Sequence, residues 1–261
     1  MQIIRVRLVN SMGRTKGCEK APVEVLKELK NIRSNEEGKL LEFERLNLEE
    51  IHVDLNNLEE ANFLIFENSK EIFEKNSKAF FIGGDHSISY PIVKAFEKVE
   101  ENPLLIVFDA HADCDNPCKE PTHEEWLRKL IEEGFTNVIL ISARNLWEHE
   151  IKFLKERGIT IIKMDILREG IEDVCDIIME QARKSSGFYV SIDIDSVDPG
   201  FAPGTGYLEP GGLSSSDLIY FVKRLNLLKN FRGADIVEIN PDRDFNNMTS
   251  KLGAKLLCEM I

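Results

Sequence analysis

The chain has 261 residues, with 33 basic and 46 acidic side chains and a formal net charge of −13. An acidic protein is repelled by phosphate surfaces, which excludes nucleic acid and anionic membranes as main partners and is compatible with a small cationic substrate. No apolar run approaches membrane-spanning length, and the first ten residues are too charged for a signal peptide.

The five cysteines do not have the spacing of a disulfide framework or of a zinc finger. A reducing compartment is the simplest setting for them, so we expect a cytoplasmic location. Cys114 and Cys118 lie close in sequence to the candidate site described below, and both are interpreted as packing residues.

Short apolar runs rich in β-branched residues predict strands. In chain order they cover 3–9, 51–55 (the weakest pattern), 79–84, 104–110, 138–143, 160–164, 188–195 and 234–240. Between most of them, apolar residues three or four positions apart predict helices. The helices cover 22–32, 57–76, 91–99, 123–134, 148–158, 171–184, 215–226 and 249–260.

The alternation of strand and helix indicates crossover units, and near-continuous apolar strands indicate a parallel sheet covered on both faces. No Pro/Gly/Ser-rich linker, repeat or low-complexity segment divides the chain. The sequence therefore predicts a single α/β domain over 1–261 with about eight strands. Such sheets bind ligands beyond the carboxyl ends of their strands, so the residues after each apolar run are candidates for function.

Acidic and imidazole side chains follow four of the predicted strands. They are Asp85 and His86, then Asp109, His111 and Asp113, then Asp193, Asp195 and Asp198, and finally Glu238. Carboxylates crowded at low exposure must be protonated, paired or bound to metal. The nearby basic residues, such as Arg144, are too few to pair them, so the pattern predicts a metal site.

Two imidazoles and four aspartates form an oxygen-rich set, which favours Mn²⁺ or a similar ion over thiolate-bound zinc. Four negative charges balance two divalent ions, with one aspartate from each of two strands as a bridge. Residues two apart in an extended segment point the same way, so Asp109, His111 and Asp113 can converge. A water held by both ions loses a proton near neutral pH.

A less specific interpretation applies to each of these residues alone. An aspartate after a strand is usually a turn or helix-cap residue, and Asp198, which precedes Pro199, is interpreted in that way. His86 is also compatible with helix capping. The joint occurrence of the motifs at several strand ends is what favours the metal site.

Three motifs resemble the signature motifs of the ureohydrolase family, which includes arginase, agmatinase and formimidoylglutamase. They are GGDHS (83–87), DAHAD (109–113) and SIDIDSVDPGFAPGTG (191–206). In addition, GRTKGCEKAP (13–22) resembles the family's N-terminal substrate-side loop, and GADIVEINP (233–241) resembles its late Glu-bearing strand. The resemblance implies a three-layer α/β/α fold with a parallel eight-stranded sheet, hydrolysis of a guanidino or formimino C–N bond, and a trimer or hexamer.

The resemblance also implies two Mn²⁺ ions per chain. One would be held by His86, Asp109, Asp113 and Asp193, and the other by Asp109, His111, Asp193 and Asp195. The catalytic candidates are Asp113, Glu238 and His123. Glu238 matches the family's glutamate that binds the guanidinium, a planar cation that can donate two parallel hydrogen bonds to a carboxylate. His123 matches the proton shuttle, but Glu124 stands where the family has glycine, so a plain histidine at a helix start is an equal alternative.

Substrate choice depends on the loop CDNPCKEPT (114–122). Arginases of the family have an asparagine at the position of Asp115 and a Ser/Asn stretch that is missing here. An aspartate attracts an amine and repels a carboxylate, which favours agmatine, and LEPGGL (208–213) also resembles agmatinases. GCEKAP resembles arginases equally, so arginine stays open, as do guanidinobutyrate and formiminoglutamate. Asn116 would join Asp115 in recognition if the loop were shifted by one residue.

Two hypotheses come from other classes. A zinc deacetylase shares this architecture, but it uses a single ion and fewer aspartates. A catalytically silent homologue would act as a binding or regulatory protein, and the loop around His123 is its only support.

Overall fold

The computed structural model describes residues 1–10 and 13–261. Within these residues, eight parallel strands form one sheet in the spatial order β2-β1-β3-β8-β7-β4-β5-β6. In chain order the strands are β1 Gln2–Val6, β2 Leu48–Ile51, β3 Ala79–Ile82, β4 Pro103–Phe108, β5 Val138–Ala143, β6 Thr160–Lys163, β7 Gly187–Asp193 and β8 Phe231–Val237.

Helices connect these strands. In the same part of the chain they are α1 Ala21–Leu29, α2 Leu58–Lys75, α3 Ser89–Val99, α4 Trp126–Glu132, α5 Glu148–Glu156, α6 Met164–Glu169, α7 Ile171–Lys184, α8 Ser215–Asn226 and α9 Met248–Met260. Among the described residues, no helix combines the length and the hydrophobicity needed to cross a membrane.

The helices cover both faces of the sheet. Along β4, Leu104, Ile106 and Phe108 belong to one buried cluster together with side chains of α1 and α6 to α9. The intervening Leu105 and Val107 belong to a second cluster with side chains of α2 to α5. Alternate residues of a strand point to opposite faces, so both faces of the sheet are buried. The prediction of an α/β/α fold with a parallel, eight-stranded sheet is confirmed.

The second and sixth strands show the clearest differences between the predicted elements and the structure. The edge strand β2 ends at Ile51, where the prediction began, because its first side chains are exposed and leave no apolar run in the sequence. The sixth strand was predicted to include Met164, but α6 begins at that residue. β6 ends at Lys163 and α6 begins at the next residue, so no loop marks the change from strand to helix.

The four strands that precede the acidic motifs are neighbours at the centre of the sheet. The strand registers pair Ile82 with Ile236, Ile236 with Ile192, and Ile192 with Phe108. These residues form one row across β3, β8, β7 and β4, so the chain leaves all four strands at the same height. Motifs that are distant in sequence therefore meet at one edge of the sheet.

Gly84 lies where the chain leaves β3 and passes close to the backbone that follows β1. A Cβ atom built on Gly84 would lie 1.9 Å from the carbonyl oxygen of Leu8, so only glycine fits there. The same oxygen accepts a hydrogen bond from the N–H of Asp85 at 3.1 Å. This close approach fixes the position from which His86 enters the site.

Candidate metal and substrate site

Three carboxylates surround Nδ1 of His86, a side chain with no exposure to solvent. The Oδ2 atoms of Asp109, Asp113 and Asp193 lie 3.2, 3.0 and 3.2 Å from this nitrogen. Among the described residues, Nδ1 has no hydrogen bond of acceptable geometry. A buried nitrogen that lacks a hydrogen bond and faces three carboxylate oxygens is the arrangement expected of metal ligands.

A second group forms around His111. Its Nδ1 lies 3.0 Å from Oδ2 of Asp195 and 3.5 Å from Oδ1 of Asp109. Asp109 therefore faces both histidines, each with a different oxygen. Ligand atoms of His86, Asp109 and Asp193, and likewise of Asp109, His111 and Asp195, lie within 4.8 Å of one another. Two such groups with a shared carboxylate fit a pair of neighbouring ions.

The side chains converge for a different reason from the predicted one. β4 ends before Asp109, and the next residues form an irregular segment in which Asp113 has a φ of 49°. β7 ends at Asp193, and Asp195 lies in a short 3-10 turn. Local hydrogen bonds aim the carboxylates: Oδ1 of Asp109 accepts from the N–H of His111 at 2.7 Å, and Oδ1 of Asp193 accepts from the N–H of Asp195 at 2.8 Å.

The carboxylates are too crowded to ionise together without a cation. Burial and the charge of Asp109 raise the pKa of Asp113 to about 7. Burial, followed by the charges of Asp195 and Asp109, raises the pKa of Asp193 well above its usual range. Burial opposes a charged His86, but the surrounding carboxylates outweigh it and raise its pKa. The crowding thus disfavours the fully ionised set of carboxylates, and a divalent cation would offset that repulsion.

Outer hydrogen bonds fix the orientation of these ligands. Nε2 of His86 lies 2.9 Å from Oγ of Ser191, which donates to Oδ1 of Asp235 at 2.6 Å. Since the Ser191 hydroxyl is the donor to Asp235, it accepts from Nε2, which leaves Nδ1 with a lone pair for a metal. Nε1 of Trp126 donates to Oδ2 of Asp113 at 2.7 Å.

Glu238 follows β8 and is buried beside His86. Its backbone has a φ of 62°, and its N–H donates to the carbonyl oxygen of Gly84 at 2.9 Å. Its Oε1 accepts from the N–H of His86 at 2.9 Å. Burial, followed by the charges of Asp193 and Asp85, raises the pKa of Glu238 well above its usual range. An ionised Glu238 therefore requires a cation beside it.

His123 was predicted to lie at the start of a helix, but α4 begins three residues later, at Trp126. The predicted helix boundary is therefore wrong, and the role of His123 stays a prediction. The turn before the helix is held by Glu125, whose Oε1 accepts from the N–H of Thr122 at 3.2 Å. This turn places His123 in the site, where it is 8% exposed.

His123 lies between the metal-site groups and a cavity. Its Nε2 is 3.3 Å from the hydroxyl of Tyr207, and one of its ring nitrogens lies within 4.8 Å of carboxylate oxygens of Asp85 and Glu238. Burial lowers the pKa of His123 to about 4, and the positive charges of the two metal-site histidines act in the same direction. The imidazole is therefore neutral at pH 7.

A cavity of about 640 Å³ opens beside these groups. It is lined by Arg14, His111, Asp113, Asp115, His123, Glu124, Asn145, Trp147, His149, Glu150, Tyr207 and Glu209. Asp115 lies at its wall with Oδ1 3.3 Å from Nε2 of His149. Asn116 is not among the lining residues and borders a neighbouring surface depression with Arg128 and Phe153.

The two nearby cysteines have different surroundings. Cys114 is fully buried and packs in the core, as predicted. Cys118 is exposed, so the prediction that it packs is wrong. The segment that carries it crosses the protein surface, with Lys119 also exposed.

The residues of the site that were not recognised from the sequence include Trp126, Tyr207 and Glu209. Trp126 has the spacing of an ordinary apolar helix residue, and its contact with Asp113 leaves no trace in the sequence. Tyr207 and Glu209 directly follow the last signature motif, in a loop before Pro210. For Tyr207 this adjacency was the signal, and Glu209 also belongs to the stretch LEPGGL (208–213) that resembles agmatinases.

The geometry can be compared with known proteins. The sequence matches the Arginase family over residues 2–261. The chain belongs to the arginase family. An agmatinase from Bacillus subtilis (strain 168) is 33% identical over 202 residues, which are 76% of this chain and 68% of the relative. The mitochondrial arginase 1 of Oryza sativa subsp. indica is 32% identical over 207 residues, 76% of this chain and 58% of the relative. This chain thus spans less than two thirds of the rice enzyme.

A solved structure confirms the relationship at the level of the fold. The crystal structure of formimidoylglutamase from Bacillus subtilis superposes with a TM-score of 0.92 at 26% identity, covering 99% of this chain and 85% of that chain. Arginase-family enzymes are hydrolases that cleave amidino C–N bonds. The match overturns the deacetylase hypothesis. It does not choose a substrate, since the three relatives carry three different substrate names.

Proposed function

We propose that this chain is a binuclear manganese ureohydrolase that hydrolyses agmatine to putrescine and urea. The observation that carries the choice of substrate is the charge of the cavity. Asp115, Glu124 and Glu209 line it, and Arg14 is its only lysine or arginine among the described lining residues. Agmatine is cationic at both ends, whereas the carboxylate of arginine would meet this acidic wall.

The metal-binding residues proposed for the first ion are His86, Asp109, Asp113 and Asp193. Those proposed for the second ion are Asp109, His111, Asp193 and Asp195. The assignment is supported by the shared position of Asp109, the unmatched Nδ1 of His86 and the oxygen-rich ligand set. When bound, the two ions supply a nucleophile at neutral pH by lowering the pKa of water.

Glu238 is the proposed partner of the guanidinium. It is buried and its pKa is raised. The N–H of His86 contacts its Oε1, and the Cys18 thiol, a weak donor, lies 3.9 Å from its Oε2. A guanidinium supplies the missing positive charge and two parallel N–H donors. This contact would hold the planar carbon at a fixed distance from the metal-site carboxylates, which is the contribution of positioning to the rate.

Asp113 and His123 complete the proposed catalytic set. Trp126 holds Oδ2 of Asp113, and Asp113 also lines the cavity, so it can accept a hydrogen bond from the attacking water. His123 is neutral and can take up a proton at one ring nitrogen and pass it to the leaving amine. Its position between the cavity and Glu238 suits that transfer.

A second candidate substrate is favoured by Arg14. This side chain lines the cavity, and its guanidinium lies 5.2 Å from the ring centroid of Tyr207. A cation in the cavity wall is able to receive a carboxylate, which arginine, guanidinobutyrate and formiminoglutamate all carry. Asp115 and Arg14 therefore favour opposite substrates.

Steady-state kinetics distinguish these substrates. The experiment measures kcat and KM of Mn²⁺-loaded protein for agmatine, arginine, guanidinobutyrate and formiminoglutamate. We expect kcat/KM to be at least tenfold higher for agmatine than for the other three. Asp115→Asn should raise KM for agmatine about fivefold with little change in kcat, because a partly exposed ion pair contributes about 1 kcal/mol. Arg14→Ala should leave agmatine hydrolysis unchanged.

Other outcomes would contradict parts of the proposal. A preference for arginine that is lost in Arg14→Ala would make the chain an arginase. Absence of turnover of all four compounds by fully metal-loaded protein would favour the catalytically silent homologue.

A further inference from the structure

The ring of His111 contacts carboxylates on both of its sides. Nδ1 faces the proposed metal ligands Asp195 and Asp109, at 3.0 and 3.5 Å. Nε2 faces away from them and lies 3.3 Å from Oε1 of Glu209. If Nδ1 binds a metal, Nε2 carries the ring proton and donates a hydrogen bond to Glu209.

Glu209 is held in place by neighbours that do not belong to the metal-site motifs. Nδ2 of Asn145 donates to Oε1 of Glu209 at 2.9 Å. Arg144 donates to the carbonyl oxygen of Glu209 from Nε at 3.2 Å and from Nη2 at 2.7 Å. The same Nη2 donates to the carbonyl oxygen of Asp195 at 2.6 Å. Arg144 thus ties the loop that carries Glu209 to the turn that carries a proposed ligand.

The two histidines of the site differ in this outer contact. His86 is fully buried and uses the neutral hydroxyl of Ser191. The side chain of His111 is 24% exposed and uses the carboxylate of Glu209. A carboxylate that accepts the outer N–H of a ligand histidine fixes the ring and makes its other nitrogen a stronger donor to metal.

We propose that Glu209 positions His111 and thereby sets the affinity of the second ion, which is held by Asp109, His111, Asp193 and Asp195. This inference rests on the proposed binuclear site. It assigns to Glu209 an effect on one ion only, because the outer contacts of His86 are separate from the Glu209 loop.

The test is Mn²⁺ binding to metal-free protein at fixed pH, measured by chelator-buffered titration and by metal content. We expect two ions in the wild type. In Glu209→Ala one ion should bind 10- to 100-fold more weakly, while the affinity of the other stays within about twofold. Glu209→Gln keeps an acceptor but loses the charge, so its loss should be smaller. Glu124→Gln, a matched cavity variant with no contact to His111, should bind both ions as the wild type does.

The outcomes separate the possibilities. Wild-type affinity for both ions in Glu209→Ala would overturn the inference. Equal weakening of both ions would also overturn it, because Glu209 would then support the whole loop structure and not His111. If Glu209→Ala does not fold, the affinities of the two ions are measured in Glu209→Gln, and the same two outcomes would overturn the inference. A wild-type protein that binds a single ion would overturn the binuclear proposal itself, which is a different failure.

Discussion

A substitution of the single side chain Glu238 tests where the guanidinium binds. Glu238→Gln removes the charge that a guanidinium requires but preserves the volume of the side chain and its contact with the N–H of His86. Because Glu238 is not a proposed ligand, both metal ions should remain. We expect kcat/KM for agmatine to fall about 100-fold or more, as for other lost charged contacts to a reacting group. Unchanged kinetics at full metal content would show that the guanidinium binds elsewhere.

His123 gives a prediction about stability and pH. Its pKa is about 4 in the folded protein and about 6.5 in an unfolded chain. Between these values the unfolded state binds more protons than the folded state. The contribution of neutral His123 to the free energy of unfolding is therefore fully present above about pH 6.5 and is lost as the pH falls toward 4. In metal-free protein, the free energy of unfolding should therefore decrease between pH 7 and pH 5 by about 2 kcal/mol more in the wild type than in His123→Asn. Equal losses would show that His123 is not buried as described.

At the residue scale, the sequence predicts which side chains meet but not how they are aimed. His86, Asp109, His111, Asp113, Asp193 and Asp195 come together because their motifs end adjacent strands. Their directions depend on a positive φ at Asp113 and on short backbone hydrogen bonds, which residue types alone do not reveal. Glu209 depends on the position of Arg144, which lies 65 residues away in sequence.

At the scale of elements, the exit from β3 is the most constrained connection near the site. Gly84→Ala would place a Cβ atom 1.9 Å from the carbonyl oxygen of Leu8, a backbone atom that cannot move without shifting the end of the sheet. We expect the free energy of unfolding to fall by about 3 kcal/mol, as in an overpacked core, and metal binding to weaken. Gly170→Ala is the control, since its Cβ would approach no atom more closely than 3.4 Å. Similar losses in both variants, measured by denaturant unfolding, would contradict this interpretation.

Most elements follow from apolar periodicity because they are buried, and the exceptions have physical reasons. The central strands are buried on both faces and appear as continuous apolar runs. The edge strand β2 is paired on one side only and half exposed, so its pattern is weak. The short helix α6 begins directly after β6, and a six-residue helix contains too few turns for a periodic signal.

At the scale of the whole molecule, one sheet edge collects the proposed site from segments spread between residues 14 and 238. The arginase-family match and the shared fold support the same arrangement over nearly the whole chain. Assembly into a trimer or hexamer and a cytoplasmic location stay predictions from the sequence. The excess of acidic over basic side chains extends into the cavity, where it favours a substrate that is cationic at both ends.

The central claim is that two manganese ions occupy the site and share carboxylates. Metal content per chain, measured after loading with Mn²⁺ and removal of free metal, tests it most directly when wild type and Asp193→Asn are compared. We predict two ions per wild-type chain, and loss of both bound metal and agmatine hydrolysis in the variant, which lacks a bridging charge. One zinc ion per wild-type chain, or two ions and normal turnover in Asp193→Asn, would contradict the account.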